Sequence, residues 1–145
     1  MSYKIKVKRV HPDAQLPFYA TKGSSGADLY SVDDLWIFPL ERKLIDTGLI
    51  FQPEMFCDIQ IRPRSGLALK NGITVLNAPA TIDSDYIGNI KVLLINHNKF
   101  DNFHVEKGMR IAQIVCNPLC PEFVEVDEVN ETERNLGGFG SSGLK

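Results

Sequence analysis

Long apolar runs are missing from this chain of 145 residues: none approaches the roughly 20 residues of a bilayer-spanning helix, which excludes such a helix. Cysteine is scarce. Cys57, Cys116 and Cys120 are the only three, an odd number that cannot all pair, and C-x3-C with no neighbouring histidine pair is poor zinc spacing, so they read as small buried side chains. His11, His97 and His104 form neither H-x3-H nor H-E-x-x-H, so those metal signatures are absent too. Charge of one sign is also lacking. A formal net charge of -2 removes the broad basic surface of a nucleic-acid binder, so an anionic ligand would have to be met by a local cluster. The first ten residues, MSYKIKVKRV, alternate lysines with Ile5 and Val7 instead of forming the apolar core of a secretory signal. The expectation is a cytoplasmic protein, with nucleus or organelle left open.

Helical periodicity is nearly absent as well, and period-2 alternation takes its place. KIKVKRV, CDIQIR, IKVLLIN, RIAQIVC and FVEVDEV are short runs rich in Ile and Val, separated by Pro, Gly, Asn and Asp, the pattern of strands and turns. Eight prolines spread along the chain would break any long helix. One short segment, SGLALKNG at Ser65 to Gly72, can make a turn or two of helix between glycines. These features predict a single all-β domain, a sandwich, jelly roll or distorted barrel. Lys4, Lys6 and Lys8 fall on one face of the first run and read as a solvated edge that resists mispairing.

Five stretches depart from plain strand or turn. In SSGADLYS, Asp28 follows a glycine-containing turn, where a turn aspartate is the plain reading. In RPRSGLALKNG, Arg64 supplies a forked donor, Ser65 a hydroxyl and Gly66 close backbone approach. That set suits phosphate oxygens, although a surface turn uses the same letters. NAPATIDSDYIGNI carries Asp83 and Asp85, which share a face if extended, and Tyr86 and Gly88 at a turning hairpin. In KGMRIAQIV the apolar strand is interrupted by Gln113, which alternation alone turns to solvent. The tail RNLGGFGSSG has four glycines in ten residues and should fray unless a ligand orders it.

Taken in order, SGADLYS, PRSGLALKNGI, NAPATIDSDYIG, KGMRIAQIV and RNLGGFGSSG resemble the five motifs of the all-β, trimeric dUTP pyrophosphatases, the dUTPases. The resemblance covers almost the whole chain. It implies a jelly-roll-like distorted barrel over residues 1–132 and a flexible arm over 133–145 that closes on bound nucleotide. It also implies a homotrimer with shared active sites and Mg²⁺-dependent hydrolysis of dUTP to dUMP and pyrophosphate. That reaction would clear dUTP from the nucleotide pool and supply dUMP for dTMP synthesis.

By the same resemblance Asp83 matches the general base that deprotonates the attacking water, a task a carboxylate suits because it is ionised at neutral pH. Arg64, Ser65, Gly66 and Gln113 match phosphate contacts, and Asp28 the carboxylate that reaches Mg²⁺ through water. Thr81, Ile82 and Lys91 match the backbone around uracil, Asn77 the side chain beside it, and Tyr86 the ring under the deoxyribose. Arg134, Phe139, Gly140 and Ser141 match the arm residues at the γ-phosphate and uracil. Three positions depart from the family pattern: Ala80 where Gly is frequent, Ile87 where many members are polar or basic, and Asn135-Leu136 after the arm arginine. Ala80 would restrict the hairpin if its backbone needed a positive φ. Two other functions fit the same fold: a dCTP deaminase-like enzyme, and a non-catalytic dUTP-binding or regulatory protein.

Overall fold

The computed structural model describes residues 4–53, 57–118 and 124–128. Among them the order is β1 (Ile5–Arg9), β2 (Ala27–Tyr30), β3 (Leu35–Ile37), β4 (Arg42–Asp46), β5 (Leu49–Pro53), β6 (Cys57–Arg62), α1 (Ser65–Asn71), β7 (Ile73–Val75), β8 (Ala80–Ile82), β9 (Lys91–Asn96), β10 (Phe103–Val105) and β11 (Arg110–Pro118). All pairings are antiparallel, and they make four sheets: β2-β11-β6-β8, β4-β9-β7, β1-β5 and β3-β10. The protein is all-β with one short helix, as the alternation predicts.

Alternation also decides which residues enter the core. In β6, Cys57, Ile59 and Ile61 are buried while Asp58 and Gln60 are less so, and in β9 Val92, Leu94 and Asn96 point inward. Ile37, Ile45, Leu49, Phe51, Ile73, Ile90 and Ile111 complete one continuous cluster. Each such side chain contributes about 1.5–3 kcal/mol through burial. Asn96 is fully buried and satisfied: its amide donates to the carbonyls of Ile37 and Asp101, and its oxygen accepts from Asn98 N–H. Cys57 is buried, and burial pushes the Cys116 thiol up to about 11, the behaviour of an inert side chain. Cys120 lies outside the described residues.

Two expectations need correction. The sheets do not close into a barrel: the described strands fall into four separate sheets, and at the corner between β4 and β5, where Gly48 takes φ +65° and its N–H donates to Asp46 Oδ1 at 2.6 Å, the chain passes from one sheet to another. FVEVDEV, in turn, reads as a strand, yet Val124–Glu128 has none, and Val124 and Val126 are exposed. Alternation makes a segment competent for pairing, but a strand also needs an edge to pair with.

The first strand behaves as expected: Lys4, Lys6 and Lys8 are exposed, and β1 pairs with β5 alone among the described strands. The helix α1 matches the segment read from the sequence, and Gly72 ends it in the left-handed region at φ 65°, with its N–H donating to Ala68 O and Leu67 O.

Candidate active site

The register of the largest sheet builds the first half of the site. Gln113 on β11 lies opposite Asp28 on β2 and opposite Arg62 on β6, so three neighbouring strands carry these residues in one row. Beyond Arg62 the chain turns through Pro63 into α1. The Gln113 amide secures that turn by donating to the Pro63 carbonyl at 2.9 Å. Gly26 makes this possible, because a Cβ there would run into the Gln113 side chain. Gln113 therefore faces the cleft, where alternation alone turns it to open solvent.

Around this row is a cleft of about 320 Å³ lined by Ser24, Ser25, Gly26, Asp28, Arg64, Ser65, Gly66, Arg110 and Gln113. Arg64 Nε donates to Asp28 Oδ1 at 3.0 Å, Arg64 Nη1 to the Arg110 carbonyl at 3.1 Å, and Arg110 Nη1 to Asp28 Oδ2 at 3.5 Å. The first helical bond of α1 runs from Ala68 N–H to the Arg64 carbonyl at 3.1 Å. The N–H groups of Ser65, Gly66 and Leu67 thus have no partner within the helix and can meet an anion, and nothing crowds the space beside Gly66. Two guanidinium groups against one carboxylate give the local positive cluster that the net charge demanded.

Arg110 is the residue that sequence reasoning missed. Strict alternation puts it on the same face as Ala112 and Ile114, both buried. A register shift between Arg110 and Ala112, where β11 meets β2, re-aims it to the cleft. Its presence in RIAQIV was visible, but the bulge was not.

The second half of the site lies elsewhere on the chain. A wider cleft of about 560 Å³ is lined by Leu44, Thr81, Ile82, Asp83, Tyr86, Asn89, Ile90 and Lys91. Asp83 and Asp85 do not extend along one strand face. Residues after Ile82 turn, and Tyr86 N–H donates to the Asp83 carbonyl at 3.0 Å. The Tyr86 ring folds over Gly88, where a Cβ would strike its hydroxyl, and that hydroxyl donates to the Asn89 carbonyl at 3.3 Å. Asn89 in turn donates from Nδ2 to both Asp46 carboxylate oxygens at 2.8 Å, tying the hairpin to the end of β4. Asn89 was not singled out in the sequence, because its partner lies 43 positions away.

Ala80 sits in β8 opposite Ile61, buried, without a positive φ, so the departure from glycine does not strain this hairpin. Ile87 is exposed, and Asn77 lies in the exposed turn before β8, outside the residues lining either cleft. Arg134, Phe139, Gly140 and Ser141 lie outside the described residues.

The two clefts share no residue. Ile82, at the end of β8, pairs with Ile59 near the start of β6, whereas Arg64 follows the end of β6, so Asp83 and Arg64 lie toward opposite ends of that strand. One chain thus presents a cleft lined by two arginines and a cleft lined by Asp83 that share no residue.

A sequence model of the dUTPase family matches residues 12–143. The deoxyuridine 5'-triphosphate nucleotidohydrolase of Nautilia profundicola is 55% identical over 97% of this chain and 99% of the relative, and that of Hydrogenobaculum 53% over 98% and 99%. Among solved structures, the dUTPase of Staphylococcus bacteriophage 80alpha with dUPNHPP superposes with a TM-score of 0.85 at 26% identity, covering 97% of this chain and 99% of that one. A mutant dUTPase of phage phi11 of S. aureus, whose structure details coordination of a structural Mg(II) ion, shares the fold at 19% identity and a TM-score of 0.78, over 88% and 99%. With half of its residues shared over nearly its full length, and with the family model matching residues 12–143, the chain belongs to the dUTPase family.

Proposed function

We propose that the protein hydrolyses dUTP to dUMP and pyrophosphate, with Asp83 as the general base. The observation that carries this reading is the division of labour between the clefts. One offers two guanidinium groups, the Ser65 hydroxyl and the amides of the first turn of α1 to phosphate oxygens, and the other offers a carboxylate beside a tyrosine and an apolar wall. Water held by Asp83 gives up a proton as its oxygen attacks the α-phosphorus in line. The bond to the bridging oxygen breaks and pyrophosphate leaves. Phosphoryl transfer asks mainly for positioning and charge neutralisation, which the arginine cleft is built to supply.

Base and sugar selection belongs to the hairpin. Thr81, Ile82 and Lys91 offer backbone groups to the uracil edge, with Asn77 alongside, and Tyr86 walls the deoxyribose. A site that hydrogen-bonds one pyrimidine edge rejects the other because buried groups would be left unpaired, worth about 10⁴- to 10⁵-fold.

Because Asp83 and Arg64 lie toward opposite ends of β6 in clefts that share no residue, a second copy would bring the halves together, in keeping with a homotrimer whose sites are shared. The arm over 133–145, with Arg134, Phe139, Gly140 and Ser141, closes each site. The donor set also fits Mg²⁺. Among the described residues no three acidic, His or Cys side chains cluster, and Asp28 is the single carboxylate in the phosphate cleft. That suits a cation held mostly by triphosphate and water. When bound, Mg²⁺ neutralises phosphate charge.

Incubation with dUTP, dCTP, dTTP and UTP plus Mg²⁺ tests the proposal. Pyrophosphate release from dUTP alone is the expected result. Ammonia from dCTP would identify a deaminase, and binding without turnover a non-catalytic protein.

A further inference from the structure

We propose that Asp46 and Asn89 are positioning residues for sugar selection: the carboxylate at the β4–β5 corner fixes Asn89, and through it the Tyr86 ring that refuses a ribose. The inference rests on reading Tyr86 as the wall of the deoxyribose, and it assigns that wall its support.

The Tyr86 ring does not hold itself in place. It is half-exposed, and its hydroxyl reaches the Asn89 carbonyl at 3.3 Å, long for a hydroxyl donor. Its seat is the bare backbone of Gly88. Residues 88 and 89 must therefore be held from elsewhere. Ile90, next along, is gripped by its backbone: its carbonyl accepts from Thr47 N–H at 3.2 Å and Thr47 Oγ1 at 2.6 Å, and its N–H donates to the Leu49 carbonyl at 2.7 Å. Asn89 is held through its side chain, whose Nδ2 donates to both Asp46 oxygens at 2.8 Å.

That amide can adopt one orientation only, because the reverse would set its carbonyl oxygen against the carboxylate. As it stands, Asn89 Oδ1 is enclosed and has no partner among the described residues, so the amide owes its place to Asp46 alone. An unpaired buried oxygen is costly, and the charged acceptor offsets that cost, since a hydrogen bond to a carboxylate is about twice as strong as one between neutral groups. Asp46 is itself set by Gly48 N–H on Oδ1 at 2.6 Å and by Asp33 Oδ2, which accepts the Asp46 N–H at 2.7 Å. Among the described residues no lysine or arginine pairs with it, which leaves its carboxylate to Asn89 and the Gly48 turn. A rigid corner thus reaches, through one amide, to the ring beside the sugar.

Kinetics of the whole protein with dUTP and UTP test this. Asn89→Ala leaves the corner bonds untouched, so the fold should survive. It should narrow the dUTP-over-UTP ratio of kcat/KM about tenfold, near the low end of what a displaced steric wall costs, with KM for dUTP rising more than kcat falls. Asp46→Ala should do the same, and the double variant no more than either, because the pair acts as one unit. Asn89→Asp should be worse than Asn89→Ala, since two carboxylates then face each other. Adding Asp46→Asn to it should restore the bond with reversed polarity and recover discrimination, a rescue that a merely structural role would not give. Fluorotyrosine labelling reads the positioning apart from turnover: the ¹⁹F signal of Tyr86, assigned with Tyr86→Phe among the chain's four tyrosines, should shift in Asn89→Ala. A parent inactive on dUTP would sink the hydrolase reading and leave the positioning to be decided by that signal. Discrimination within twofold of the parent in Asn89→Ala, additive losses in the double variant, no recovery in the swapped pair, or an unmoved Tyr86 signal would overturn the inference.

Discussion

The phosphate cleft and the hairpin cleft are built on opposite principles. The first is laid across three neighbouring strands, and its residues are held by charge: Arg64 and Arg110 on Asp28, with Gln113 pinning the Pro63 turn. The second hangs from a turn: Tyr86 packs against Gly88, Asn89 ties the hairpin to Asp46 by hydrogen bonds, and Leu44, Ile82 and Ile90 are walls. Oxyanions are recognised by donors and positive charge, which a rigid sheet can aim. A flat base and a sugar lacking one hydroxyl are recognised by backbone edges and by the absence of room, which a tight turn provides. On the proposed reading, neither half does the chemistry alone.

The sharpest break in this comparison is Asp83→Asn. It should leave pyrophosphate binding intact while kcat for dUTP falls about 10²-fold or more, since Asn keeps the shape but cannot take the proton. Mixing these chains with Arg64→Ala chains under proven subunit exchange should restore activity, because some mixed sites would receive both intact halves. No recovery would mean that both residues act within one chain.

Ending the chain after Thr132 should be the next largest effect, a loss of about 10² in kcat/KM for dUTP with the fold and pyrophosphate binding retained, as expected for lost positioning and charge stabilisation. Full activity of the shortened protein would remove the arm from the mechanism.

Gly88→Ala should follow. Its Cβ would push the Tyr86 ring from its seat, and overpacking of about 1–3 kcal/mol corresponds to roughly 5- to 150-fold in kcat/KM, with weaker discrimination against UTP. Gly26→Ala should affect phosphate binding instead, through Gln113, with dUTP-over-UTP preference unchanged. Kinetics with both nucleotides for each variant separate the two clefts.

The smallest effect concerns neither cleft and so serves as a control. The Lys107 ammonium, hydrogen-bonded at 2.8 Å, holds Asp13 below its ordinary 3.8. A depressed carboxylate contributes stability above its unfolded value near 4 that fades as pH falls through the folded value. Both groups are exposed, so Asp13→Asn should only slightly flatten the decline of Tm below about pH 4, leaving turnover at neutral pH unchanged.

Local chemistry determined much of this protein on its own. Alternation in CDIQIR and IKVLLIN specifies strands because side chains on opposite faces meet core or water, and SGLALKNG announces a helix that Gly72 ends. Resemblance of the ordered motifs to those of the dUTPases marked Asp28, Arg64, Asp83 and Gln113 as candidates, since motif order is a property of the chain. Tertiary structure decided the rest. The Arg110 bulge reverses the face that period 2 assigns, Asn89 finds Asp46 across 43 residues, and residues 124–128 of FVEVDEV, strand-like in pattern, form no strand among the described residues. It also decided that Asp83 and Arg64 lie at opposite ends of β6. Each of these depends on which strand lies beside which, and pairing between distant segments is set by how the whole core closes, information that no local window of sequence carries.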